Sequence, residues 1–198
     1  MTKTIKQLKK RLLFSIIEIL SSERFDTNII SKGCRNIGIQ TEYARLLFPN
    51  GRFEVLDEFG NCINKAMIKR IKKELTITTS ITTRIFESLK IRFEILDKYK
   101  FVLPKIITFY LKPWNHIKFY PYIWNIMNLI WRVGGKDQST DIHYYTKRGL
   151  LVGIYLSTLV FWLSDKSVNY QDTYSLLYKK LRTVVSIGRK VNSFPVKP

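Results

Sequence analysis

The stretch from Gly149 to Leu163 runs for fifteen residues without a Lys, Arg, His, Asp or Glu, and charged clusters flank it on both sides. A helix that crosses a bilayer needs about 20 mostly apolar residues, so this stretch is too short for a membrane span. A helix that is apolar nearly all round is instead buried by the protein itself. We therefore predict a buried helix from about His143 to Leu163, in a chain of 198 residues with room for one compact domain or a small module fused to a larger one.

The chain is strongly basic, with a net charge of +19. The excess is spread along its length, because residues 1–100 carry 20 Lys and Arg against 11 Asp and Glu, and residues 101–198 carry 14 against 4. Such a charge predicts attraction to a polyanion, which is a nucleic acid, an anionic membrane face or an acidic protein. An A/T-rich genome, which favours Lys, Ile, Asn and Tyr codons, would explain much of the basicity equally well.

Residue types that carry catalysis or bind metals are sparse. Cys34 and Cys62 are the two cysteines, 28 residues apart and outside any paired motif, which argues against a disulfide scaffold and a cysteine-ligated zinc site. His116 and His143 are far apart in the sequence, and a metal needs three or four converging ligands. We therefore expect no catalytic site, no metal and no cofactor, with an acid/base or metal site at Asp137, Asp141 and His143 as the alternative.

Apolar residues recur at helical spacing along the chain, and this pattern predicts an all-α fold of eight or nine helices. The first three helices are short, with a break near Gly33 or Gly38 and with Thr41 as the expected N-cap of the third, and they resemble a helix-turn-helix unit. The later helices are longer and more apolar. We predict a helix-turn-helix-like head over residues 1–60 and a helical body over residues 61–198.

Two of the predicted body helices, from His116 to Val133 and from Tyr144 to Leu163, are rich in aromatic residues. A filled core is the simpler arrangement for this pair, but small residues recur along the second helix, so the pair can also leave a gap that a long apolar ligand occupies. The candidate residues for lining such a gap are Tyr122, Trp124, Met127, Trp131, Tyr155 and Trp162.

We predict that the last helix starts at Asp172 or Thr173.

The charge of the head bears on DNA binding. A helix-turn-helix that binds DNA uses basic side chains to neutralise several phosphates. Residues 26–50 hold three basic and two acidic residues, a net charge of +1. We therefore predict that the head is a retained structural module, with DNA binding as the alternative.

The C-terminal half contains a set of short motifs: Trp131, STD at 139–141, YTKR at 145–148, GLLVGIY at 149–155, DKS at 165–167 and DTY at 172–174. ARLLFPNG at 44–51 and EVLDEF at 54–59 precede them. Together these motifs resemble the ubiquinone biosynthesis accessory proteins that have a TetR-repressor fold. ARLLFPNG and EVLDEF resemble the degenerate helix-turn-helix of that family.

The resemblance implies an all-α, TetR-like homodimer in which a degenerate helix-turn-helix is followed by a ligand-binding body. It implies that the body holds an isoprenoid quinone precursor or a phospholipid in a hydrophobic pocket walled by residues 119–131 and 144–163. It also implies a non-catalytic role, in which the protein presents the precursor to a membrane-associated di-iron hydroxylase through a patch that includes Asp141, Tyr144 and Tyr145. The alternative is a TetR-type DNA-binding transcriptional regulator.

Two departures from the family pattern affect these expectations. The turn from Gly134 to Gln138 is one residue longer than is usual in the family, and Tyr144 stands where a tryptophan is common, so we expect altered partner contact at that edge. Eukaryotic members add an amphipathic membrane-docking helix, whereas this sequence ends in SIGRKVNSFPVKP. We therefore expect docking on an anionic membrane to use the basic surface or another apolar patch. No export signal is predicted, and the expected location is the bacterial cytoplasm, peripheral at the inner membrane, or the mitochondrial matrix in a eukaryote.

Overall fold

A computed structural model describes residues 3–75, 80–136 and 142–192. Within these ranges the chain is all-helical and contains no strand, which confirms the predicted fold class. None of the helices in these ranges combines the length and the apolar character that a membrane crossing requires. The helices are α1 (Lys3–Ile19), α2 (Ile29–Asn36), α3 (Tyr43–Leu47), α4 (Arg52–Glu74), α5 (Ile81–Asp97), α6 (Leu103–Tyr110), α7 (His116–Leu129), α8 (Ile142–Ser164) and α9 (Gln171–Asn192).

The chain forms two compact units. The first consists of Met1–Lys65 and Leu96–Tyr120, and the second of Ala66–Ile95 and Pro121–Pro198. The predicted head at 1–60 and body at 61–198 are a functional division, and that division stays a prediction.

In the first unit, α1 and α2 pack closely at Gly33. A Cβ atom at this glycine would lie 2.7 Å from Cγ1 of Ile16, so a larger residue would push the two helices apart. The hydroxyl of Ser15 donates to the carbonyl of Gly33 at 3.3 Å, and the amide of Asn36 donates to that hydroxyl at 3.0 Å. Because α2 runs through Gly33 and ends shortly before Gly38, which has a φ of +72°, the second of the two predicted break points is the correct one.

The prediction that Thr41 caps α3 is wrong. The N-cap residue is Glu42, and its side chain makes no capping hydrogen bond. The backbone carbonyl of Thr41 already accepts the N–H of Ala44 at 3.0 Å, and that of Gln40 accepts the N–H of Tyr43 at 3.2 Å. A preceding turn therefore satisfies the first two N–H groups of α3 through its backbone, and the Thr41 side chain caps neither of them.

In the second unit, α7 ends four residues before the predicted Val133. A five-residue π-helical turn, Ile130–Gly134, follows it, and the N–H of Gly135 donates to the carbonyl of Ile130 at 3.0 Å. The carbonyl of Gly134 accepts a hydrogen bond from Nε of the buried Arg84 at 2.6 Å. The wider π-helical turn thus presents a backbone carbonyl to a buried cation. Helical periodicity in the sequence does not predict this contact.

The start of α9 is held by a side chain outside the helix. The carboxylate of Asp165 accepts the N–H of Ser167 at 2.7 Å and, from Thr173, both the N–H at 3.0 Å and the hydroxyl at 2.5 Å. Desolvation opposes ionisation of this carboxyl, but the hydrogen bonds from Thr173 and Ser167 outweigh it and lower the pKa of Asp165 to about 2. The helix begins at Gln171, close to the predicted Asp172 or Thr173.

Candidate functional site

A partly exposed aromatic cluster lies where the first turn of α8 meets α7. The ring of Trp124 stacks on Tyr145 with 6.0 Å between centroids and lies 6.3 Å from Tyr144, while the two tyrosine rings are 5.0 Å apart. Trp124 is half-buried and Tyr145 is exposed. The structure therefore joins a residue predicted to bind lipid to two residues predicted to bind a partner. Asp141, the third predicted partner residue, lies outside the described residues.

Arg148 supports this aromatic cluster from the protein interior. Its guanidinium carbon lies 3.6 Å from the centroid of the Tyr144 ring, and the residue is almost fully buried. Its Nε donates to Oδ1 of Asn128 at 3.0 Å, the same oxygen that accepts the Tyr144 hydroxyl at 3.3 Å. A planar guanidinium on an aromatic face, with shared hydrogen bonds, holds Tyr144 in one orientation.

Trp131 connects the π-helical turn to α8. Its indole Nε1 donates to the carbonyl of Lys147 at 3.2 Å, and the ammonium of Lys147 lies 5.6 Å from the centroid of its ring. Trp131 is half-buried. Its position is thus fixed by hydrogen bonding as well as by packing.

A polar cluster around Arg92 lies inside the second unit. Arg92 is almost fully buried, its Nε donates to the hydroxyl of Tyr155 at 3.1 Å, and Tyr122 is a further hydrogen-bond partner. Burial favours the neutral form of the guanidine, but Tyr155 and Tyr122 outweigh this effect and raise the pKa of Arg92 above its usual range. The unit therefore contains a buried positive charge beside two phenol groups.

Apolar side chains surround this cluster. The ring of Phe93 stacks on Tyr155 with 5.7 Å between centroids and lies 5.3 Å from Trp162. Trp162 and Met127 are fully buried. Of the six residues predicted to bind lipid, Met127, Tyr155 and Trp162 are therefore buried, and the other three are half-buried.

Two clefts lie in the first unit. One, of about 590 Å³, lies along α1 and the end of α2 and includes Phe14 and Ile37. The other, of about 330 Å³, lies beside α6 and includes Phe25 and Phe109. None of the six residues predicted to bind lipid lines either cleft. Their assignment to a lipid pocket stays a prediction.

Within the described ranges, no group of three or more His, Cys, Asp or Glu side chains is arranged to hold a metal ion. Cys34 and Cys62 are both thiols, and burial raises the pKa of Cys34, with the charge of Glu42 adding to the effect. A raised pKa makes Cys34 less reactive than an ordinary thiol.

Sequence reasoning missed Arg92 and Arg148, although one signal for Arg92 was present. Arg92 falls within the apolar stripe of α5, three residues after Leu89 and next to Phe93. A charged residue within an apolar stripe indicates a buried charge with polar partners. No comparable signal existed for Arg148, because charged residues flank the apolar run of α8 on both sides.

The sequence matches known proteins of ubiquinone biosynthesis. A model of the COQ9 family matches residues 118–188. The chain is 23% identical over 193 residues to the ubiquinone biosynthesis protein COQ9, mitochondrial, of Xenopus tropicalis, covering 94% of this chain and 60% of that one. It is 21% identical over 190 residues to the human protein of the same name, covering 92% and 59%. The chain thus spans about 60% of the length of these relatives.

A further relative and one solved structure extend the comparison. The probable ubiquinone biosynthesis protein coq9, mitochondrial, of Dictyostelium discoideum is 25% identical over 174 residues, covering 85% of this chain and 56% of that one. The crystal structure of a TetR transcriptional regulator from Nitrosomonas europaea superposes with a TM-score of 0.73 at 16% identity, covering 91% of this chain and 99% of that one. That likeness concerns the fold alone. In sequence the chain therefore resembles the COQ9 family of ubiquinone biosynthesis proteins and in fold it is TetR-like, which confirms the resemblance indicated by its motifs.

Proposed function

We propose that this protein is a non-catalytic, lipid-binding accessory factor of ubiquinone biosynthesis. It binds an isoprenoid quinone precursor and presents the ring to a membrane-associated di-iron hydroxylase. A polyprenyl tail is nearly insoluble, because each CH₂ group removed from water is worth about 0.8 kcal/mol. A carrier that shields the tail and exposes the ring therefore solves a physical problem that the enzyme faces at the membrane surface.

The observation that carries this proposal is the cluster of Arg92, Tyr122 and Tyr155 among buried apolar side chains. A quinone precursor combines ring oxygens, which accept hydrogen bonds, with a hydrocarbon tail. The guanidinium and the phenol hydroxyls are donors for the ring oxygens. Phe93, Trp162 and other apolar side chains nearby suit the tail. On this proposal the ligand replaces contacts that these side chains otherwise make with one another.

The aromatic cluster of Trp124, Tyr144 and Tyr145 is the proposed docking site for the hydroxylase. Exposed aromatic side chains on a rigid support are typical of the residues that dominate binding energy in protein interfaces. Arg148 and Asn128 supply that support beneath Tyr144. We propose that the protein acts as a homodimer at an anionic inner membrane face, and its +19 charge supports that placement. DNA binding stays the alternative prediction.

The first test is Tyr155→Phe, which keeps the ring and removes the hydroxyl that accepts a hydrogen bond from Arg92. We expect the purified variant to bind ubiquinone about tenfold more weakly, because the phenol hydroxyl that donates to a ring oxygen is lost. Binding is measured by titration with ubiquinone, and lipid that co-purifies with the wild-type protein is identified by solvent extraction and mass spectrometry. We expect that extract to contain an isoprenoid or a phospholipid.

Tyr178→Phe is the matched control, because Tyr178 is exposed and packs edge-on against Phe86 in the same unit. It should bind ubiquinone as the wild-type protein does. Equal affinities for all three proteins, together with a lipid-free extract, would contradict the proposal.

The second test is Tyr145→Ala, which removes an exposed ring from the aromatic cluster. We expect affinity for the hydroxylase to fall at least about tenfold, as for a hot-spot residue, with little change in thermal stability. Leu150→Ala is the control, because Leu150 is also exposed on α8 but lies more than one turn further along the helix. Both affinities are measured by calorimetry with the purified hydroxylase. If Tyr145→Ala binds as tightly as Leu150→Ala, the docking site lies elsewhere.

A further inference from the structure

The corner between α6 and α7 exposes four large apolar side chains at intervals of three residues. Leu111 is 75% exposed, Trp114 is 87% exposed, and Ile117 and Tyr120 are each 69% exposed. Ile117 and Tyr120 lie one turn apart on α7 and so share a helix face, while Leu111 and Trp114 lie in the turn that leads into it. We call these four residues the corner patch. Single exposed apolar residues are common, but four within ten residues mark an interaction surface.

The backbone of the corner is held in place, so the exposure of these side chains does not result from a loose loop. The side-chain amide of Asn115 donates to the carbonyl of Phe109 at 2.8 Å, and its N–H donates to the carbonyl of Lys112 at 2.9 Å. Phe109 and Tyr110 are buried beside the patch, and the ring of Tyr110 lies 5.2 Å from that of Phe119. The corner therefore has an anchored inner side and an apolar outer side.

The segment of the chain that carries the patch is basic. Residues 98–120 contain five lysines and no Asp or Glu. Lys112 and Lys118 lie within the corner itself, both are exposed, and the ammonium of Lys118 lies 5.1 Å from the centroid of the Phe53 ring. The apolar side chains thus project from a basic segment, in which Lys118 also interacts with the carboxylate of Asp57 on α4.

We propose that the corner patch inserts into the headgroup region of an anionic membrane. Trp and Tyr prefer the membrane–water interface, Leu and Ile prefer the acyl chains beneath it, and lysines bind anionic headgroups beside them. Buried cores of protein interfaces also favour aromatic residues, but they are depleted in lysine. The combination of Trp114 and Ile117 with Lys112 and Lys118 therefore fits a lipid surface better than a protein partner. This inference rests on the proposed function, because a lipid carrier has to reach a membrane.

The test measures binding of the full-length protein to phosphatidylcholine vesicles, with and without phosphatidylglycerol. Trp114→Ala should weaken binding to the anionic vesicles about tenfold, because the interfacial burial of one large apolar side chain is lost. The single variant Lys112→Glu should weaken binding to the anionic vesicles at least about fivefold. Acyl-brominated lipids should quench tryptophan fluorescence in the wild-type protein and much less in Trp114→Phe.

Matched controls separate insertion from general effects. Ile117→Ser is compared with Leu46→Ser, because Leu46 on α3 is 67% exposed but lies outside the corner. Lys112→Glu is compared with Lys72→Glu, another exposed lysine, in the last turn of α4. Only the corner variants should lose vesicle binding, and all of them should still bind ubiquinone, so a failure here is distinct from a failure of the lipid-carrier proposal.

Two results would overturn the inference. One is vesicle binding by Trp114→Ala and Ile117→Ser equal to that of the wild-type protein. The other is bromine quenching that persists unchanged in Trp114→Phe. If Trp114→Ala keeps vesicle binding but loses affinity for the hydroxylase, the corner is a protein-docking site and the membrane assignment is wrong.

Discussion

Trp162→Ala is expected to destabilise the second unit by about 3–5 kcal/mol, because it removes a large aromatic side chain from a packed interior. Trp162 is fully buried in α8, and its ring lies 5.3 Å from Phe93 and 5.7 Å from Tyr170 between centroids. Neighbouring rings cannot fill the space without leaving their own contacts, so the loss includes a cavity as well as the transfer free energy of the indole.

The measurement is urea unfolding followed by far-ultraviolet circular dichroism, at one protein concentration so that any oligomer formation contributes equally. Phe161→Ala is the matched control, because Phe161 is the preceding residue on the same helix but is exposed. It should change the unfolding free energy by about 0.5 kcal/mol or less. If both variants lose the same small amount, Trp162 does not pack as described and its surroundings are open to a ligand.

Gly134→Ala is expected to destabilise the protein by about 1–3 kcal/mol through overpacking. A Cβ atom at Gly134 would lie 2.1 Å from Oγ and 3.0 Å from Cβ of Ser88. Ser88 is fully buried and its hydroxyl donates to the carbonyl of Arg84 at 2.7 Å, so it cannot move without breaking that bond. The change would also disturb the hydrogen bond that the carbonyl of Gly134 accepts from Arg84.

Gly153→Ala is the control for the chemical change itself. No atom lies within 4 Å of a Cβ built at Gly153, which is exposed in α8. Because alanine is the better helix former, this variant should gain about 0.5–1 kcal/mol. Adding Ser88→Gly to Gly134→Ala should recover part of the lost stability by removing the clash. Equal unfolding free energies for the two alanine variants would show that the π-helical turn is not tightly packed.

These two sites bear on the functional proposals in different ways. Trp162 lies beside Phe93, which stacks on Tyr155 in the cluster proposed to bind the quinone ring. Gly134 ends the turn that carries Trp131. The indole of Trp131 donates a hydrogen bond to the carbonyl of Lys147 in α8, close to Tyr144. The first site therefore tests how firmly the proposed lipid-binding interior is packed, and the second tests how firmly the proposed docking cluster is supported.

Much of the helical architecture could be predicted from the sequence. The apolar run from Gly149 to Leu163 predicted a helix from His143, and α8 is Ile142–Ser164. The last helix was predicted to start at Asp172 or Thr173, and α9 begins at Gln171. The bodies of both helices follow from local periodicity, because a residue three or four positions away lies on the same helix face. The cap of α3 and the end of α7 could not be predicted in this way, because a backbone turn and a distant arginine determine them.

The candidate site was predictable only in its residue types. The sequence identified Trp124, Tyr145 and Trp162 as aromatic residues of two helices. It did not indicate that Trp124 stacks on the exposed Tyr145 while Trp162 is fully buried. Helix rotation decides this, and rotation depends on packing with neighbouring helices.

By itself, the sequence determined that this protein is helical, basic and similar to ubiquinone biosynthesis proteins, because composition, periodicity and short motifs are local properties of the chain. Only the tertiary structure decided which side chains surround Arg92, that Arg148 is buried and that Trp114 is exposed. A buried guanidinium is tolerated only where partners such as Tyr155 and Asn128 replace its hydration, and those partners come from other helices. Likewise, the exposure of Trp114 depends on the turn that carries it, which Asn115 anchors on its inner side.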